Sequence, residues 1–155
     1  MLPDPLHPAV VHLPIALSVL IPLLTAGIAL AIRQGWLERR TWALVVIANL
    51  LLVGLVLLAR ETGEDTADRV EKVVDKRYIG EHAEAAEWLL WASMGSVVVA
   101  GAGLVGRGGA ARAAAVVASL VVLAIAVRVG ALGGELVYKH GAANAYVPRD
   151  VAPHP

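Results

Sequence analysis

Four long stretches of the chain are almost entirely apolar, and the charged residues collect between them. The stretches cover residues 9–32, 41–59, 88–105 and 113–134. A helix needs about 20 apolar residues to cross the ~30 Å hydrocarbon core of a bilayer, and none of the stretches has the polar face of a soluble surface helix. The pattern predicts an all-α integral membrane four-helix bundle. The predicted helices cover residues 8–33, 41–61, 81–106 and 112–140, each to within a few residues.

The composition supports a membrane protein and excludes several other classes. Of the 155 residues, 58% are hydrophobic and 17% are charged, whereas soluble domains average about 25% charged residues. The formal net charge is zero, so the chain lacks the basic surface that nucleic-acid binding requires. The absence of cysteine excludes thiolate metal sites and iron–sulfur ligation by this chain. We predict one domain over residues 1–155.

The first apolar stretch is predicted to be a retained helix and not a cleaved signal peptide. The residues before it, Met1 to Pro8, contain no Lys or Arg, although signal peptides begin with a positively charged region.

The aromatic residues are four Trp and three Tyr with no Phe, and most lie near predicted helix ends. We therefore expect Trp36 and Trp42 at headgroup depth, where amphipathic rings are enriched.

The segment between helices 2 and 3 carries an apolar stripe. Val70, Val73, Val74 and Tyr78 follow helical spacing, with charged residues between them. This predicts a short helix lying in the membrane interface. A solvated linker with partial helicity is the alternative.

The two short loops suggest an orientation. Loops 33–40 and 106–112 carry five arginines and one acidic residue, Glu38. Lys and Arg in short loops favour the cytoplasmic side. With four crossings, both termini and the long segment then face away from the cytoplasm.

Four histidines are predicted to converge at one end of the bundle. His7 and His12 lie at the start of helix 1, His82 at the start of helix 3, and His140 at the end of helix 4. Odd-numbered helices start, and even-numbered helices end, on the same side. Ionisable groups within a membrane are functional candidates, and imidazole is the commonest metal ligand. We expect a shared site, with His12 and His82 as the first choice of ligands and His7 and His140 as alternates.

The leading prediction for this site is b-type haem with two histidine ligands. Arg128, a charge far inside helix 4, should face the interior and pair with Glu135, Asn49 or a haem propionate; Arg60 and Lys139 are further propionate candidates. The first alternative is a transition-metal ion without haem. Its candidate ligands are His12, His82, His140, Glu61, Glu64 and Glu84. The second alternative is an accessory or scaffold subunit without a cofactor.

Glycines mark close approaches and a possible repeat. Gly133 and Gly134 are expected where helix 4 comes close to a neighbour or a ligand. Helices 1 and 3 both begin near a histidine, and helices 2 and 4 both end in a glycine, Gly63 and Gly141. A parallel repeat of two helical hairpins would produce this arrangement.

Three segments carry a resemblance to a known family. They are His7–Ile15 (HPAVVHLPI), Glu81–Ala86 (EHAEAA) and Gly133–Gly141 (GGELVYKHG). They resemble the motifs of the bacterial membrane family named domain of unknown function 2231, with Leu13 where that family usually has Phe. The resemblance implies a four-helix protein of the bacterial inner membrane. Some relatives are joined to Rieske or cytochrome c domains. This implies such redox proteins as partners, and it favours an electron carrier or accessory subunit over an enzyme. A homo-oligomer is a separate partner that the sequence leaves open.

Overall fold

Four long helices make up most of the protein. A computed structural model describes residues 4–106 and 109–147. Helix α1 covers His7–Arg33, with a break at Val11; α2 covers Arg39–Val70; α3 covers Lys76–Val105; and α4 covers Gly109–Tyr138. All four are long and apolar enough to cross a membrane. The predicted all-α membrane fold is confirmed.

The predicted interfacial helix has no separate counterpart in the structure. Helix α2 continues to Val70, a short turn follows, and Asp75 caps α3 by accepting a hydrogen bond from the Arg77 backbone N–H at 2.8 Å. The apolar stripe is therefore divided between a helix end, a turn and a helix start. Val74 is buried, whereas Val73 is 45% exposed, so only part of the stripe packs inward against the bundle.

The helices form a ring in which each packs against its neighbours in sequence and α4 closes against α1. Helices α1 and α3 consequently lie on one diagonal, and α2 and α4 on the other. We call the end that holds His7, Gly63, His82 and Gly133 the histidine end. The end that holds Arg39, Arg40 and Arg112 is the arginine end.

The two hairpins bury equivalent positions. Buried residues of α1 and α3 correspond at an offset of 75 positions, as do His7 and His82: Val10–Ala85, Pro14–Leu89, Ser18–Ser93, Ile21–Ser96, Thr25–Ala100 and Ile28–Gly103. Those of α2 and α4 correspond at an offset of 70: Trp42–Arg112, Val45–Ala115, Asn49–Ser119, Leu52–Val122 and Val56–Ala126. Ser18 and Ser93 even make the same 2.7 Å bond to the carbonyl four residues back.

Equivalent residues meet at both ends of the bundle. The imidazoles of His7 and His82 lie 6.3 Å apart, and the guanidinium of Arg112 lies 5.8 Å from the ring of Trp42. A two-fold pseudo-axis along the bundle explains both contacts. Trp42 is accordingly fully buried against Gly103 and donates to the Ala100 carbonyl, whereas Trp36 is exposed. The headgroup depth expected for both rings stays a prediction.

Candidate functional site

His7 begins α1 and its ring packs against α2. Its Nδ1 donates to the backbone carbonyl of Ala59 at 2.9 Å, and the Thr62 hydroxyl lies 3.3 Å from the same nitrogen. A Cβ on Gly63 would lie 3.1 Å from His7 Cε1. The missing side chain of Gly63 therefore lets the ring lie on the helix backbone, and the Ala59 carbonyl sets its tautomer.

His82 holds the equivalent place between α3 and α4. A Cβ on Gly133 would lie 3.2 Å from His82 Cε1. The Val129 carbonyl, equivalent to that of Ala59, is the backbone acceptor beside the ring. The Nδ1 of His82 is nevertheless buried without a partner at hydrogen-bond distance in the described part of the chain, which is unusual for a buried polar atom.

The two rings face each other across the bundle diagonal. Their centroids are 6.3 Å apart and their planes are inclined at 82°. A metal bonded to an imidazole nitrogen lies about 2.0–2.1 Å from it, so two imidazoles on opposite sides of one metal have centroids about 6 Å apart. The observed spacing is close to that distance, and it is also that of an ordinary edge-to-face contact between two rings.

The other predicted ligands are not part of this pair. His12 is exposed on the outer side of α1, because it lies five residues after His7 and faces away from the core. His140 stacks on Tyr78 with centroids 3.7 Å apart. The structure thus brings three of the four histidines to the histidine end inside the protein, but the partner of His82 is His7 and not His12.

Arg128 does not face the interior, and that prediction is wrong. It is exposed, since it lies two residues after buried Ala126 and thus about 200° around the helix. Its proposed partners are engaged elsewhere. Asn49 Oδ1 accepts a hydrogen bond from Ser96 at 2.7 Å, and Glu135 pairs with Lys139 at 2.8 Å.

The carboxylates of the alternative metal site lie apart from the imidazoles. Glu61, Glu64 and Glu84 are exposed, and Glu64 lies 3.4 Å from Arg60. Within residues 4–106 and 109–147 no three His, Asp or Glu side chains come together in a metal-binding group. Among the described residues, the two imidazoles are therefore the candidate ligands at this place.

Of the two glycines expected at a close approach of helix 4, one lies there and the other does not. Gly133 does lie at a close approach, and the neighbour is the His82 ring. Gly134 has nothing within 4 Å of an added Cβ, so the expectation for that residue is wrong. Gly141 does not mirror Gly63; it follows α4 with φ of +72°, in the left-handed region that glycine favours.

A polar pocket opens beside His7. Its volume is about 190 Å³, and its lining includes Thr62, Asp4, Arg69 and Tyr146. Arg69 lies 3.2 Å from Asp4 and 5.3 Å from the Tyr146 ring centroid. Thr62 lines the pocket and also contacts the His7 ring, so a single side chain separates this pocket from His7.

Sequence reasoning missed the supporting residues Ala59, Thr62 and Gly63. Ala59 acts through its backbone, which has no side-chain signal. Gly63 was interpreted as a helix cap, although α2 continues for another seven residues to Val70. The repeat was the available signal, because His7 and His82 share an offset with the buried faces of their helices.

The fold and site define a four-helix membrane bundle with a half-buried pair of histidines on diagonal helices. The family model described as predicted membrane protein, domain of unknown function 2231, matches residues 3–146. The chain belongs to this family. No curated protein and no solved structure matches it.

Proposed function

We propose that this protein is a b-type haem protein of the membrane that transfers electrons, with His7 and His82 as the two axial ligands. The observation that carries the proposal is the imidazole pair at 6.3 Å on diagonal helices. Metal-bound histidines typically donate their other N–H to a carbonyl, and His7 has that contact with Ala59. A second observation supports the proposal: Nδ1 of His82 is buried without a hydrogen-bond partner within the residues that the structure describes, and a bound cofactor would supply what this nitrogen lacks.

The number of ligands favours haem over a bare metal ion. A structural or catalytic zinc site takes three or four protein ligands, whereas a porphyrin supplies four nitrogens and leaves two axial positions. Two imidazoles meet the second requirement only. Haem between α1 and α3 would separate α2 from α4 at the histidine end. Arg60 and Lys139 are the candidate partners for propionates there, and a propionate would replace the exposed carboxylates with which they now pair.

An absorption spectrum of the protein, purified with a tag that contains no histidine, tests the proposal. We expect a Soret band that shifts on reduction. His7→Ala and His82→Ala should each abolish or shift it, and His12→Ala, on the same helix as His7 but exposed, should not. If the protein binds a metal but shows no Soret band, the cofactor is a metal ion and not haem. If the protein shows neither a Soret band nor bound metal, the remaining interpretation is an accessory subunit without a cofactor.

Electron paramagnetic resonance sharpens the same test. The ring planes are nearly perpendicular at 82°, and perpendicular axial imidazoles give low-spin ferric haem a highly anisotropic signal. A rhombic signal typical of parallel imidazoles would contradict this ligand pair. A high-spin signal would show that only one histidine binds.

We further propose that the histidine end faces away from the cytoplasm in the bacterial inner membrane, with Rieske-type or cytochrome c-type proteins as partners. The support is the group of Arg33, Arg39, Arg40 and Arg112 at the other end. Reporter fusions after Pro155 and between Gly106 and Arg112 should report opposite sides. Cytoplasmic activity of the fusion after Pro155 would overturn the orientation.

A further inference from the structure

Two opposite charges, Glu87 and Arg128, lie on the outer surface of the second hairpin at a depth where the first hairpin has no Asp, Glu, Lys or Arg. Glu84, Glu87 and Arg128 are exposed on α3 and α4. Their equivalents by the offsets of the repeat are Ala9, His12 and Leu58. Because an exposed arginine within a membrane span is costly to insert, its position on the outer face requires a partner.

The two opposite charges lie at the same depth. His82 and Gly133 are in contact and define one level of the bundle. Glu87 lies five residues inward from His82 and Arg128 five residues inward from Gly133, which places each about 7.5 Å below that level. They make no ion pair with each other or with any other described residue.

The acidic side forms a groove with aromatic walls. Glu84, Glu87, Trp88 and Trp91 line an open depression of about 290 Å³ on α3. The Trp91 indole N–H donates to Glu87 at 3.4 Å, and both indole rings are exposed. Carboxylates together with tryptophan faces suit a guanidinium, which accepts both ion pairing and cation–π contact.

We propose that this surface is an interface between two copies of the chain, in which Arg128 of each copy enters the Glu84–Trp91 groove of the other. The charges are self-complementary and equal in depth, so a two-fold axis along the membrane normal makes both contacts at once. The first hairpin, with Leu58 opposite His12, cannot form the same pairs. The dimer therefore uses the second hairpin.

Disulfide cross-linking tests the interface cleanly, since the chain contains no cysteine. Trp88 and Val127 are 62% and 64% exposed and lie at matched depth beside Glu87 and Arg128. One tagged chain with Trp88→Cys and a differently tagged chain with Val127→Cys, expressed together, should form a mixed disulfide in native membranes. The matched control is Leu13→Cys with Leu57→Cys, which are the equivalent positions of the first hairpin, at 55% and 49% exposure.

We expect several-fold more mixed disulfide from the Trp88 and Val127 pair than from the control pair. Arg128→Leu or Glu87→Gln should reduce it to the control level, and Arg128→Glu combined with Glu87→Arg should restore it. Arg128→Leu makes α4 more apolar, so insertion is preserved. Equal cross-linking of both pairs, or cross-linking unaffected by Arg128→Leu, would overturn the proposal and leave Arg128 extended toward lipid headgroups.

Discussion

The first hairpin, α1 with α2, and the second, α3 with α4, bury the same positions but carry different chemistry on them. Ser18 and Ser93 are both serine, yet Trp42 corresponds to Arg112 and Asn49 to Ser119. The shared feature is the spacing of positions that face the pseudo-axis.

The histidine end is where the two hairpins remain most alike. Each imidazole packs on a glycine of the next helix and lies beside a backbone carbonyl of that helix, Ala59 for His7 and Val129 for His82. The arginine end and the outer surfaces differ strongly. A cofactor that binds one equivalent ligand from each hairpin would require the two hairpins to stay alike at the histidine end and nowhere else. This agrees with the proposed ligation by His7 and His82.

The largest difference between the hairpins should follow substitution at Trp42. Trp42→Ala removes a fully buried ring and its hydrogen bond to Ala100 and should cost about 3–5 kcal/mol. Arg112→Ala should cost less, because its Nε has no hydrogen-bond partner among the described residues. Unfolding in mixed detergent micelles measures both. Equal losses would show that the guanidinium contributes as much as the indole.

Substitution of the two histidine-supporting glycines should affect both hairpins equally. Gly63→Leu and Gly133→Leu place side chains where the imidazoles lie, and such overpacking typically costs about 1–3 kcal/mol. Gly134→Leu is the control, since its Cβ meets open space. Thermal shift and, if haem binds, the Soret band report the change. A tolerated Gly63→Leu would break the equivalence of the two histidines.

A moderate effect is expected at the middle of the bundle. Asn49→Leu removes the hydrogen bond that the Ser96 hydroxyl of α3 donates to Asn49 Oδ1 of α2 at 2.7 Å. The loss should lower the free energy of unfolding by about 0.6–2 kcal/mol. Ser119→Ala should cost less, because Ser119 donates within its own helix to Val116. Unfolding curves of the two variants should therefore separate. Identical curves would mean that the contact between α2 and α3 is not stabilising.

The smallest effects are expected at the exposed ion pairs near the ends of α2 and α4. Glu64→Gln and Glu135→Gln each remove an i,i+4 pair, with Arg60 and Lys139 respectively. Exposed pairs contribute little because water screens them. The unfolding midpoints should match that of the parent protein at low and high salt. A salt-dependent loss would indicate that these carboxylates take part in a larger charged network.

The sequence by itself determined the four helices, their crossing order and the gathering of His7, His82 and His140 at one end. The helices follow from the length of each apolar stretch, which is a local property of the sequence. The end at which each histidine lies follows from the number of times the chain has crossed the membrane before it. Predicted helix ends were less accurate where polar turns of α2 and α3 extend beyond the apolar stretches, to Val70 and from Lys76.

Only the tertiary structure decided which histidines meet and which way Arg128 points. Both depend on the rotation of each helix about its own axis, where an error of one residue turns a side chain by about 100°. Long apolar helices carry little polar contrast from which to infer that rotation. His7 rather than His12 became the partner of His82 because Gly63 and the Ala59 carbonyl, far away in sequence, receive its ring.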